Sequence, residues 1–134
     1  MNILISGAGI AGPTLAYWLS RYGFTPTVVE TAPALRTGGY IIDFWGTGFD
    51  VADRMGLIDT LTERQLFQGG DGGIAYVDAH GKILAELKFE AVREVLGGRY
   101  LPLMHGNLVD AVHGALDDDV DVRFGTTIDR KSVV

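Results

Sequence analysis

The chain has 134 residues, 47% of them hydrophobic and 21% charged, which is enough apolar material for one compact core and excludes a fibrous or disordered class. A formal net charge of −6, with only 11 lysines and arginines, argues against nucleic acid as a partner, because gripping a phosphate backbone needs a concentrated basic face. The absence of cysteine excludes disulfides, thiolate metal sites and cysteine nucleophiles.

Residues 2–6, Asn2-Ile3-Leu4-Ile5-Ser6, form a short apolar run that stops at a glycine, the pattern of a buried parallel strand. From Ile10 to Tyr22 the period changes to that of a helix, with Leu15, Trp18, Leu19 and Tyr22 on one apolar face and Gly23 placed to end it. Pro13 is tolerated in the first turn, where its missing N–H has no intrahelical partner to lose. The run from Thr27 to Glu30 reads as a second buried strand and closes a βαβ unit. Residues 1–19 lack a basic start and are interrupted by Gly7, Gly9, Gly12 and Pro13, so they resemble neither a signal peptide nor a membrane span. A soluble, cytoplasmic protein with no membrane partner is expected.

Further along, Tyr40 to Phe44 reads as a strand, and Phe49–Met55 and Ile58–Leu66 read as helices parted at Gly56. Ile74–Val77 and Lys82–Leu87 flank Asp78-Ala79-His80-Gly81, the composition of a hairpin turn. A helix over Asn107–Leu116, with Leu108, Val109, Val112 and Leu116 on one side, leads through Asp117-Asp118-Asp119 into a strand over Val120–Phe124. The aspartates Asp117, Asp118, Asp119 and Asp121 lack the glycine and distal glutamate of a calcium loop and read as a solvated turn, so no metal site is expected. His80 and His113 converge with no other ligand in the sequence, and Trp18 and Trp45 read as packing residues.

One motif carries chemistry. Gly7-Ala8-Gly9-Ile10-Ala11-Gly12 is a G-x-G-x-x-G that leaves a strand and opens a helix, and Glu30 follows Gly9 by 21 positions at the end of the next strand. Gly7 permits the tight turn, Gly9 lets a pyrophosphate approach bare backbone, and Gly12 lets helix and strand pack closely. Glu30 is placed to accept the hydroxyls of an adenosine ribose, and its charge repels a 2′-phosphate, which favours FAD or NAD over NADP. These residues alone leave FAD and NAD both open.

The stretch from Glu30 through Thr31, Arg36, Gly38, Gly39 and Asp43 to Gly46 resembles the segment after the second strand in flavin-dependent monooxygenases of the aromatic-hydroxylase type, the family of para-hydroxybenzoate hydroxylase and the tetracycline-inactivating enzymes. The likeness continues through Asp53-Arg54-Met55-Gly56-Leu57 and the hairpin, and reaches at least residue 124. It implies FAD as cofactor, Arg36 and Gly39 along the flavin, and Asp43 beside the ribityl region; Asp43 read by itself is equally a turn cap. His105 and Leu108 match the family's helix start, where an arginine contacts the pyrophosphate; here histidine replaces it and lacks the bidentate fork. The family's later Gly-Asp segment has no counterpart up to Val134, so the chain reads as an N-terminal portion, complemented in one reading by a second chain.

The resemblance thus implies an α/β protein with a Rossmann-like FAD-binding βαβ core and a β-hairpin excursion belonging to an incomplete substrate-domain sheet. The expected boundaries are a core over 1–66, a hairpin excursion over 67–104 and a return to the FAD-binding domain over 105–134. The implied enzyme is an NAD(P)H- and O2-dependent hydroxylase of an aromatic or polyketide-like small molecule. Two other readings remain: a truncated, non-catalytic dinucleotide-binding domain, and an NAD-dependent reductase, for which no Tyr-x-x-x-Lys pair is present.

Overall fold

The computed structural model describes residues 1–36, 38–67 and 72–128. In chain order its elements are β1 (Asn2–Ser6), α1 (Ala11–Arg21), β2 (Thr25–Val29), β3 (Ile41–Trp45), α2 (Gly46–Arg54), α3 (Ile58–Glu63), β4 (Gly73–Val77), β5 (Ile83–Lys88), α4 (Phe89–Val95), β6 (Tyr100–Met104), α5 (His105–Gly114) and β7 (Asp121–Arg123). They divide into two compact units, Met1–Gly38 with Leu108–Val134, and Gly39–Asn107. Residues 39–66, grouped by sequence with the N-terminal core, therefore cluster with the segment that follows them. The physical cause is the ladder between β3 and β6, a pairing too distant in sequence to be read from local pattern. Among the described residues no helix is long and apolar enough to cross a membrane.

The first unit is an α/β arrangement around a parallel sheet in the order β1-β2-β7. Central β2 buries Pro26, Val28 and Val29, and Val28 stands opposite Ile5 on one side and Val122 on the other. The core is built from Ile5, Ala8, Ala16, Val28 and Val120, with Ile3, Leu19, Leu116, Val122 and Phe124 packed against it.

Two expectations are corrected here. The face of α1 that is buried carries Pro13, Ala16 and Tyr17, while Leu15 and Tyr22 are 49% and 75% exposed. At the small residues Gly12 and Ala16 the helix approaches the strands closely, which rotates Leu15 and Tyr22 outward while Leu19 still packs against the core. In β1, Ile5 is buried but Leu4, on the opposite face of the strand, is 56% exposed. The end of α1 follows the sequence: Gly23 takes φ +78 and donates its N–H to the Ser20 carbonyl at 2.9 Å. Within the acidic run, Asp117 accepts from Ser20 and pairs with Arg21, and Asp121 pairs with Arg123.

In the second unit β3 and β6 pair antiparallel, with Ile41 opposite Met104 and Trp45 opposite Tyr100. Residues 88–104 carry no expected element, yet they form α4 and β6. The helix is too short to establish a period, and Pro102 obscures the strand; it fits because among the described residues β6 has a ladder on one side only, so one missing N–H goes unneeded. The segment Leu101–Leu103 is buried, and the rings of Phe67, Phe89 and Tyr100 meet in sequence, tilted, at 5.5 and 6.1 Å between centroids. Strands β4 and β5 form the expected hairpin, with Asp78 Oδ1 accepting the N–H groups of His80 and Lys82 and Gly81 at φ +82. Every residue of both strands is exposed.

Candidate functional site

Strand β1 ends at Ser6, and the chain turns at Gly7, whose φ of +106 is a conformation that side chains resist. The Gly7 N–H donates to the Val29 carbonyl at 2.7 Å, tying the turn to the end of β2. Ala8 is buried; its N–H donates to Glu30 Oε2 at 2.9 Å, and its carbonyl lies 2.7 Å from His113 Nε2. A Cβ at Gly12 would sit 1.9 Å from the Gly7 carbonyl oxygen, so the helix and the turn touch backbone to backbone. A Cβ at Gly9 would meet nothing within 4 Å, leaving that side of the turn open.

Helix α1 begins at Ala11 with Ile10 as its N-cap, and no side chain caps it. The N–H groups of Gly9, Ile10, Ala11 and Gly12 meet no acceptor among the described residues. Bare amides at the positive end of a helix dipole attract an anion, and the open face at Gly9 gives one access. The residues present therefore fit the diphosphate of a dinucleotide.

Glu30 is fixed from several sides. Its N–H donates to the Arg123 carbonyl, its own carbonyl accepts from Thr126, and its second carboxylate oxygen, Oε1, accepts the Ala32 N–H at 2.8 Å. The N–H groups of Ala32 and then Ala8 hold the carboxylate below its ordinary pKa, with the positive charge of Arg36 adding to them and desolvation opposing. The Thr31 N–H adds a third, weaker contribution, and the carboxylate's four lone-pair sites exceed these N–H partners, which leaves acceptor capacity for a hydroxyl.

The remaining residues singled out by sequence fall as follows. Thr31 and Arg36 are exposed in the segment after β2. Leu108 is buried, so its side chain serves packing. Ala8, counted among the binding residues by motif, has its N–H engaged by Glu30, which leaves the anion to the amides that follow it. In the second unit, Gly39 has φ +151 and lies against His105, a Cβ there coming 3.1 Å from the histidine Cβ. The His105 ring stacks on Tyr40 at 5.2 Å, and the His105 backbone N–H donates to the Tyr40 carbonyl. Asp43 lies in mid-strand opposite Pro102, which removes the turn-cap reading.

Asp43 accepts a hydrogen bond from the Tyr100 hydroxyl, a pairing across 57 positions that no local pattern announces, since Pro102 obscures β6. Burial first, then the Asp43 bond and charge, push the Tyr100 pKa well above its ordinary value. The two residues stand at a hollow of about 460 Å³ whose other walls include Trp45, Ile74, Leu87 and Phe89.

Fold and site together define an α/β protein with a parallel sheet whose first turn is open to an anion. No family model matches the chain. FAD-dependent monooxygenase asL4 of Sarocladium schorii is 35% identical over 134 aligned positions, covering 96% of this chain and 30% of that protein. A flavin-dependent monooxygenase of an unknown prokaryotic organism is 42% identical over 121 positions, covering 87% of this chain and 29% of that protein. The crystal structure of tetracycline destructase Tet(55) matches with a TM-score of 0.76 at 35% identity, over 94% of this chain and 30% of the other. By sequence and fold the chain is a relative of the flavin-dependent monooxygenases, as the run from Glu30 to Gly46 suggests. It spans about 30% of the length of these enzymes.

Proposed function

We propose that this chain is the FAD-binding portion of a flavin-dependent monooxygenase. The observation that carries the reading is the set of unpartnered amides from Gly9 to Gly12 beside an open Gly9, with Glu30 locked at the same turn. The amides of Gly9, Ile10, Ala11 and Gly12 take the pyrophosphate, and the free lone pairs of Glu30 take the adenosine ribose. Thr31 and Arg36 follow the cofactor away from Glu30, and family likeness gives Gly39, Asp43, His105 and Leu108 as cofactor residues too. FAD, when bound, supplies the redox chemistry of an NAD(P)H-dependent hydroxylase that transfers one atom of O2 to its substrate. The protein's part is to hold the cofactor's phosphates and sugar in place.

The substrate we propose is an aromatic or polyketide-like molecule. The hollow beside Asp43 and Tyr100 supports this, because its walls are chiefly apolar and its few polar groups stand together, which suits a planar molecule with one hydrogen-bonding edge. The kinship with a tetracycline destructase points to the same chemistry.

The direct test is the absorbance spectrum of the purified chain, followed by titration with FAD. Flavin bands, or saturable quenching of flavin fluorescence on adding protein, are expected. A colourless protein that takes up no added FAD overturns the proposal and leaves a dinucleotide-fold domain without its cofactor.

A further inference from the structure

The structure assigns to His113, which no motif singles out, the task of aiming the Gly9 amide; we propose it as a positioning residue for the cofactor, an inference that rests on the FAD reading above. A backbone carbonyl can only accept, so the 2.7 Å contact between His113 Nε2 and the Ala8 oxygen requires the hydrogen to be on Nε2. The ring is supported from behind by Phe124, stacked at 6.3 Å and 28°. The Ala8 carbonyl shares its peptide plane with the N–H of Gly9, and in a trans peptide the two point in opposite directions. By drawing the Ala8 oxygen toward α5, His113 fixes the direction of the Gly9 N–H on the other side.

That matters because the next residue, Gly9, has no side chain to resist rotation of this peptide, and the space a Cβ would occupy there holds no atom within 4 Å. The preceding units are already pinned: Gly7 donates to Val29, and Ala8 donates to Glu30. The peptide between Ala8 and Gly9 has only His113 holding it among the described residues. Were it to flip, a carbonyl oxygen would face the diphosphate in place of an N–H, exchanging attraction for repulsion. Glu30 and His113 thus grip the two ends of Ala8, one by its N–H and the other by its carbonyl.

The test uses the full chain with His113→Phe, which keeps an aromatic ring against Phe124 and removes the donor, and His113→Gln, which restores a donor at similar reach. FAD affinity is expected to fall about tenfold in His113→Phe, the scale of one hydrogen bond, and to stay within about twofold of the parent in His113→Gln. Without FAD, the Gly9 amide should exchange with solvent deuterium at a changed rate in His113→Phe alone. Undiminished binding by His113→Phe, or equal loss in both variants, overturns the role of His113 and leaves the FAD reading standing. If the parent itself binds no FAD, the reading falls and the inference with it. Should His113→Phe fail to fold, the parent's imidazole nitrogen chemical shifts still decide: a neutral ring with its hydrogen on Nδ1 alone overturns the proposal.

Discussion

The N–H of Ala8 meets the carboxylate of Glu30 at 2.9 Å, so the turn that leaves β1 is tied directly to the residue that follows β2. The acid therefore has two tasks: it shapes the turn through backbone N–H groups and retains lone pairs for a sugar. Replacing it should affect both fold and cofactor.

Because its folded pKa lies below its ordinary value of 4.5, Glu30 contributes stability that is fully present above that value and is lost as pH falls through the folded value. We expect the melting temperature of the parent to decline below about pH 4.5 and the decline to be shallower in Glu30→Gln, as followed by circular dichroism. The variant should also bind FAD at least about tenfold more weakly at neutral pH. Parallel pH curves for the two proteins would sink the linkage argument.

Gly9 and Gly12 separate ligand access from packing. Gly12→Ala drives a methyl group into the Gly7 carbonyl oxygen, and because both partners are backbone neither can rotate away. A loss of at least about 2 kcal/mol in denaturant-measured stability is expected, at the upper part of the range for overpacking. Gly9→Ala meets no protein atom, so stability should hold within about 1 kcal/mol while FAD affinity falls at least about tenfold. Equal stability losses in the two variants would contradict the geometry.

Tyr100 offers a test in the second unit. Its pKa is raised, so the stability it contributes is complete below the ordinary tyrosine value of 10.0 and diminishes as pH rises beyond it. The difference between the phenolate absorbance titrations of the parent and of Tyr100→Phe isolates this one side chain. Its midpoint should lie above 10.0, and Asp43→Asn should lower it by removing a negative charge next to the phenol. A midpoint at or below 10.0 would remove the buried pairing as its cause.

Every residue of β4 and β5 is exposed, and a two-stranded hairpin with so little burial is marginal in water. Its amides should exchange at least about tenfold faster than that of Val28, which is fully buried in central β2. Leu84→Lys should change stability by less than about 0.5 kcal/mol. Slow exchange across residues 73–88 would show that something covers these strands in solution.

Much of the site was legible because it is local. The spacing of Gly7, Gly9 and Gly12, the helix they open and the acid at Glu30 are all close in sequence, and each answers to a steric or electrostatic need of its own position. The C-terminal glycine of α1, the Gly56 break between α2 and α3, and the hairpin turn at Asp78 to Gly81 were legible for the same reason. Where the sequence misled, packing had overruled periodicity: α1 turned its small residues inward and left Leu15 and Tyr22 outside.

By itself the sequence determined that a bare-backbone turn stands between a strand and a helix with a carboxylate in reach, since glycine conformations and helix-end amides are properties of neighbouring residues. Only the tertiary structure decided that His113 meets Ala8 and that Tyr100 meets Asp43, contacts made across 105 and 57 positions of chain. No local propensity encodes such pairs, because they form only where separate elements are brought together by burial of their apolar faces.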